Sequence, residues 1–278
     1  MLAACSLTTS LSGLSNGPDV APDAAIDAAT TTADGSTSMS ESGAGGDASA
    51  GDADATTTAF GCADHASALF CADFETGPFN ANWGYTFFRN GGTLVLGAGR
   101  FGSGLVATVP ARADPGVSTR PAATVETSVT LTARAPLTLA FDMNIPSAAT
   151  GGGVVDIGGF DFHGPFYVVT FRMENDGTIH LHEYGDPLGS NPNLLTDAPL
   201  TAQPAIGSWV HVAMALTFPT SSSARLVVTF DGATTFDGPI GASPYASQPF
   251  VYAGINNAES AASLGRTVDV DDILVTTP

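Results

Sequence analysis

From Ala66 onward, apolar residues recur at every second position in short runs separated by Gly, Pro and Asn. A period of two marks strands that bury one face, so residues 68–75, 136–145, 166–174, 177–184, 209–218, 225–231, 249–255 and 266–276 are predicted strands. No long segment shows helical spacing. Many short strands joined by Gly and Pro turns fold as an all-β, two-sheet antiparallel sandwich, here over residues 61–278. The inward faces follow from parity: Leu137, Leu139, Phe141, Met143 and Ile145 on one strand, Val210, Val212, Met214, Leu216 and Phe218 on another, and Leu226, Val228 and Phe230 on a third. In the last run Val268 and Val270 have one parity, Ile273 and Val275 the other. A bulge at Asp271 and Asp272 restores a single apolar face.

One hairpin can be put in register. Val169, Phe171 and Met173 must share a face with Ile179 and Leu181, and only a three-residue loop of Asn175, Asp176 and Gly177 achieves this. That register sets Arg172 against His180, Thr170 against His182 and Val168 against Tyr184 on the outward face. Arg can fork onto a carboxylate or a hydroxyl pair, Tyr can stack on a sugar ring, and His can donate to hydroxyls. This is the densest group of site-like residues in the chain, set against the alternative of an ordinary solvated convex face. Trp209, which shares its strand's outward parity with His211, is a candidate addition as a sugar platform.

Residues 6–60 are dominated by Ala, Thr, Ser, Gly and Asp and cannot bury enough apolar surface to offset chain entropy, so a disordered tether is expected. The chain has no Lys. Its eight basic residues are Arg, the first of them Arg89, against 27 acidic residues, for a net charge of −19. Nucleic acid and anionic lipid headgroups are excluded as partners, since both are bound through basic side chains. Cys62 and Cys71 are spaced to close a short disulfide loop, worth about 3 kcal/mol in an oxidising compartment, the alternative being a reduced pair. Leu2-Ala3-Ala4-Cys5 resembles a lipoprotein lipobox, so residues 1–5 read as the remnant of a signal segment with Cys5 as the lipidated residue. A lipid on Cys5 is then the only membrane attachment expected, in a bacterial cell-envelope, outer-membrane or cell-surface lipoprotein, or else a secreted protein.

Several landmarks resemble the concanavalin A-like lectin/glucanase superfamily, and within it the laminin G-like domains of bacterial surface proteins. They are Leu69-Phe70-Cys71-Ala72-Asp73-Phe74-Glu75 followed by Trp83, Arg100-Phe101-Gly102-Ser103-Gly104-Leu105, Gly207-Ser208-Trp209-Val210-His211-Val212-Ala213, Asp231-Gly232 within residues 225–237, and the closing Asp271-Asp272 strand. The resemblance implies a jelly roll whose first and last strands are neighbours. It would gather Asp73, Glu75, Asp271 and Asp272 at one rim, hard oxygen ligands suited to calcium. It also implies a non-catalytic module that binds a glycan or a surface protein through Arg172, His180, His182, Tyr184, Thr170 and Trp209. A polysaccharide lyase or glycoside hydrolase on the same fold is the alternative, and a structural envelope protein the third. No Glu-x-Asp-x-Glu triplet of the retaining glucanases occurs. Thr178-Ile179-His180 resembles an alginate-lyase triplet but has Thr where that pattern has Gln, and the companion Arg- and Lys-containing strands of that pattern are missing.

Overall fold

A computed structural model describes residues 60–80, 82–111, 120–131, 134–147, 154–162, 167–185, 193–220, 223–241, 249–258 and 265–277, all within the unit Thr56–Pro278. Cys5 and the tether up to residue 59 lie outside the described residues. Those residues form two antiparallel sheets. One runs β13 (Ala233–Ile240), β12 (Ser223–Phe230), β11 (Trp209–Thr220), β6 (Leu137–Asn144), β15 (Arg266–Thr276), β4 (Ser103–Val109), β3 (Thr93–Ala98), with β1 (Phe70–Ala72) also paired to β15. The other runs β10 (Asn193–Pro199), β9 (Ile179–Gly185), β8 (Tyr167–Met173), β7 (Val155–Phe162), β14 (Phe250–Ala258), β5 (Ala122–Ser128), β2 (Tyr85–Arg89).

The core lies where parity puts it. Leu137, Leu139, Phe141 and Met143 of β6 meet Val169, Phe171, Met173, Ile179 and Leu181 of the opposite sheet, all at 1% exposure or less. Each such side chain contributes roughly 1.5–3 kcal/mol on burial. Phe218, near the end of β11, packs only partly against this core. Among the described residues all eight predicted strands are present, and seven others accompany them.

Among the unpredicted strands, β7 breaks its alternation with a bulge between Asp156 and Gly158 and carries the pair Gly158-Gly159. β5 has little large apolar content, and β2 exposes Tyr85, Phe87 and Phe88.

The details derived from parity are also observed. Arg172, Thr170 and Val168 pair with His180, His182 and Tyr184, and Gly177 takes φ 88°, the left-handed conformation that the three-residue loop requires. The β15 register shifts between Asp271 and Leu274, with Asp272 at φ 50°. Cys62 and Cys71 are bonded, with Cα atoms 5.6 Å apart, tying the 3-10 turn Cys62–His65 to β1.

Candidate active site on the outward face of the seven-stranded sheet

Strand pairing assembles the site from residues far apart in sequence. On the face of the seven-stranded sheet that points away from the core, β9 presents His180, His182 and Tyr184, and β8 presents Arg172 and Thr170. β7 sets Asp156 opposite Arg172, β10 sets Asp197 opposite His182, and β14 sets Tyr252 opposite Gly159, itself opposite Thr170. An open sheet face would leave such polar side chains in water. Here Thr170, Tyr252, His182, Arg172 and Asp156 are 0%, 2%, 3%, 6% and 6% exposed. The inner part of the face is therefore enclosed, while His180, Tyr184 and Asp197 at its edge stay partly open to solvent, and the fully solvated convex alternative is set aside.

Burying polar groups is costly unless they are paired. Arg172 Nε donates to Asp156 Oδ1 at 2.9 Å, and its guanidinium lies 5.1 Å from the centre of the Tyr184 ring. Nδ1 of His182 is 3.1 Å from the Tyr184 hydroxyl oxygen. Its Nε2 stands 3.1 Å from Asp197 Oδ1 and 3.5 Å from Glu174 Oε1, without the alignment of a hydrogen bond. Nδ1 of His180 is 2.6 Å from the same Asp197 oxygen. The Tyr252 hydroxyl faces Thr170 and Asn256.

The electrostatics follow from this crowding. Burial, aided by the Arg172 charge, pushes His182 down to about 4, so its imidazole is neutral near pH 7. Burial raises Glu174 against the pull of Arg172 and His180. Burial also acts to raise Asp197, but the hydrogen bond with His180, helped by the proximity of His182, outweighs it and leaves Asp197 lowered. Tyr252 is pushed up, first by burial and then by Asp156, and stays a neutral phenol.

Trp209 does not join this group. It lies on β11 of the other sheet, opposite Asn144, because equal outward parity on two strands says nothing about which sheet each belongs to. Beside it, Asp142 Oδ1 receives Arg100 Nη1 at 3.0 Å and lies 2.8 Å from His211 Nδ1. The hydrogen bond to Asp142 raises His211, against partial burial and the Arg100 charge. A raised histidine contributes stability that is fully present below its unfolded value near 6.5 and is lost as pH climbs through the folded value. His211→Gln is therefore expected to lower Tm more at pH 5.5 than at pH 9, in thermal melts of the two chains.

The predicted rim also assembles. β1 pairs with the end of β15, which brings Asp73 beside Asp272. Asp271 accepts from the Arg100 and Asp272 amides at 2.8 and 2.9 Å, and Glu75 from the Ser103 amide at 2.7 Å. Gly99 is required in this turn, because a Cβ there would strike the Asp271 carboxylate and the Ser103 backbone, whereas at Gly102 it would meet only the end of the Glu75 side chain. Burial, with neighbouring carboxylates adding to it, pushes Asp271 up to about 6 and Asp272 to about 7. A separate cavity of about 130 Å³ beside the disulfide is lined by Asp73, Phe74, Phe79 and Trp83. It holds no acid–base pair.

Asp156, Glu174, Asp197 and Tyr252 were not singled out from sequence. Tyr252 alternates with Val251, Ala253 and Ile255, so its outward parity is legible in the sequence. Asp156 sits in the bulged strand that alternation could not reveal.

No protein-family model and no curated protein matches the chain. Solved structures do. The endo-β-1,4-glucuronan lyase of the fungus Trichoderma reesei matches with TM-score 0.59 at 15% identity, over 76% of this chain and 96% of that one. The PL-14 alginate lyase of Aplysia kurodai matches with TM-score 0.52 at 10% identity, over 77% and 100%. The cellulose-induced protein Cip1 matches with TM-score 0.51 at 15% identity, over 75% and 97%. The expectation of a non-catalytic binding module is corrected by these neighbours, two of which are polysaccharide lyases, together with the enclosed, acid–base-bearing face. The face is assembled across five strands, so no single segment of the sequence displays its polar groups together. By fold the chain is a jelly-roll β-sandwich, the architecture of these solved structures.

Proposed function

We propose that this protein is a polysaccharide lyase that cleaves uronate-containing chains by β-elimination on the outward face of the seven-stranded sheet. The observation that carries the reading is the contact of Arg172, His182 and Tyr184 on one buried face. β-Elimination needs a cation to offset the charge that develops on the uronate carboxylate, a base for the C5 proton, and an acid for the leaving oxygen O4. Arg172 supplies the cation. The His182–Tyr184 pair takes the C5 proton. The C5–H electrons become the C4=C5 double bond, the C4–O4 bond breaks, and O4 leaves with a proton returned by the pair. The fold neighbours support a glucuronan- or alginate-like polyuronate as substrate. The test compares a polyuronate with the same polymer after its carboxyl groups are reduced. Cleavage of the first alone is expected; equal cleavage of both would reject the mechanism, since C5 is acidified only by the carboxyl group.

The reading extends to a structural calcium ion held by Asp73, Glu75, Asp271 and Asp272, supported by the pairing of β1 with β15 and by the bulge that turns two carboxylates to one rim. Millimolar Ca²⁺ is expected to raise Tm by several degrees over the chain in EDTA, and Asp272→Asn to abolish the response. A wild-type melt insensitive to Ca²⁺ would reject it. Lipid attachment at Cys5 remains part of the proposal, supported by the Leu2-Ala3-Ala4-Cys5 sequence alone.

A further inference from the structure

We infer that Glu174, His180, His182 and Asp197 form a binding site for one divalent transition-metal ion of the zinc class. Three neighbouring strands converge on it. His180 and His182 are two apart on β9 and so point the same way, Glu174 is the residue that follows β8, and Asp197 of β10 is paired with His182. Ligand atoms of Glu174, His180 and His182 all lie within 4.8 Å of one another. Three measured edges of the cluster are 2.6 Å from His180 Nδ1 to Asp197 Oδ1, 3.1 Å from His182 Nε2 to the same oxygen, and 3.5 Å from His182 Nε2 to Glu174 Oε1. A tetrahedral ion with bonds of about 2.0–2.2 Å has ligand–ligand edges of about 3.3–3.6 Å, so these three edges must open by up to about 1 Å, while the others among Glu174, His180 and His182, within 4.8 Å, must close by up to about 1.5 Å.

A second observation is independent of the clustering. His182 is 3% exposed, and its buried Nε2 makes no aligned hydrogen bond even though two carboxylate oxygens flank it. A nitrogen aimed between two carboxylates in this way suits a bound cation better than a proton donated to either. The opposite edge of the ring is held at Nδ1 by the Tyr184 hydroxyl, the outer contact that fixes the ring of a metal-bound histidine.

The donor set selects the metal. Two imidazole nitrogens and two carboxylates favour zinc and its first-row neighbours, whereas calcium takes oxygen ligands throughout. Charge points the same way. The face carries Asp156, Glu174 and Asp197 against Arg172, and the chain has no Lys to add. An ion here would offset two of those carboxylates on a surface that must otherwise meet a polyanion. The site does not depend on the lyase reading, because metal retention is measured without substrate; with an ion on His182 Nε2, the proton transfer assigned to the His182–Tyr184 pair falls to the Tyr184 hydroxyl at Nδ1.

The test uses the full chain with Cys5→Ser, which removes an unrelated thiol ligand. The protein is stripped with a chelator, equilibrated with micromolar Zn²⁺ and assayed for bound metal. One equivalent of zinc is expected, with affinity at least 10-fold weaker in His180→Ala and in Glu174→Gln, while circular dichroism reports an unchanged fold. Co²⁺ in place of Zn²⁺ gives a second readout on the parent protein alone, an intense visible band typical of tetrahedral nitrogen and oxygen ligation. No retained zinc in the folded parent, or equal retention in His180→Ala, would overturn the inference.

Discussion

Tyr184→Phe is expected to lower kcat on a polyuronate by about 10²–10⁴-fold, the usual worth of a positioned acid–base group, with KM changed little. The substitution keeps the ring against which the Arg172 guanidinium lies and removes only the hydroxyl that contacts His182 Nδ1. Binding of the uronate should therefore survive while proton transfer fails. Steady-state kinetics separates the two. A loss confined to KM would assign Tyr184 to substrate stacking, and unchanged kinetics would remove it from the mechanism.

Asp156→Ala is expected to destabilise the fold by about 3–5 kcal/mol, because it withdraws the carboxylate that pairs with a buried guanidinium. Both side chains of the pair are less than one tenth exposed, with Nε and Oδ1 2.9 Å apart. For a domain of this size that loss corresponds to a fall in Tm of about 6–20 °C. The double substitution Asp156→Leu with Arg172→Met should recover much of it, since the cost arises from an uncompensated charge and not from the pair as such. Thermal unfolding of the three chains checks this. A fall below about 1 kcal/mol for Asp156→Ala would mean that the pair is solvated as a surface pair is.

The sandwich was legible because alternation fixes which side chains of a strand go inside, as for Leu137 to Ile145 and for Val169 to Met173. The same argument gave the hairpin register and the Asp271–Asp272 bulge, where a parity conflict has only one economical repair. Parity is local, however. It cannot say which strands become neighbours, so Trp209 was grouped with the Arg172 face although β11 lies in the other sheet. Asp156, Asp197 and Tyr252 enter the site only through the order β10-β9-β8-β7-β14, a long-range fact with no signature in any one segment. The same limit applies to function: no single strand carries a catalytic triplet, whereas the buried face gathers its polar groups from five strands.

The central claim is tested most directly by incubating the full chain with polyglucuronate and with alginate, and following ultraviolet absorbance and product mass together. The account predicts new ends with the absorbance of a conjugated C4=C5 double bond and fragments one water lighter than hydrolysis would give. Saturated fragments would contradict β-elimination, and an intact polymer in both cases would contradict lyase activity at this face.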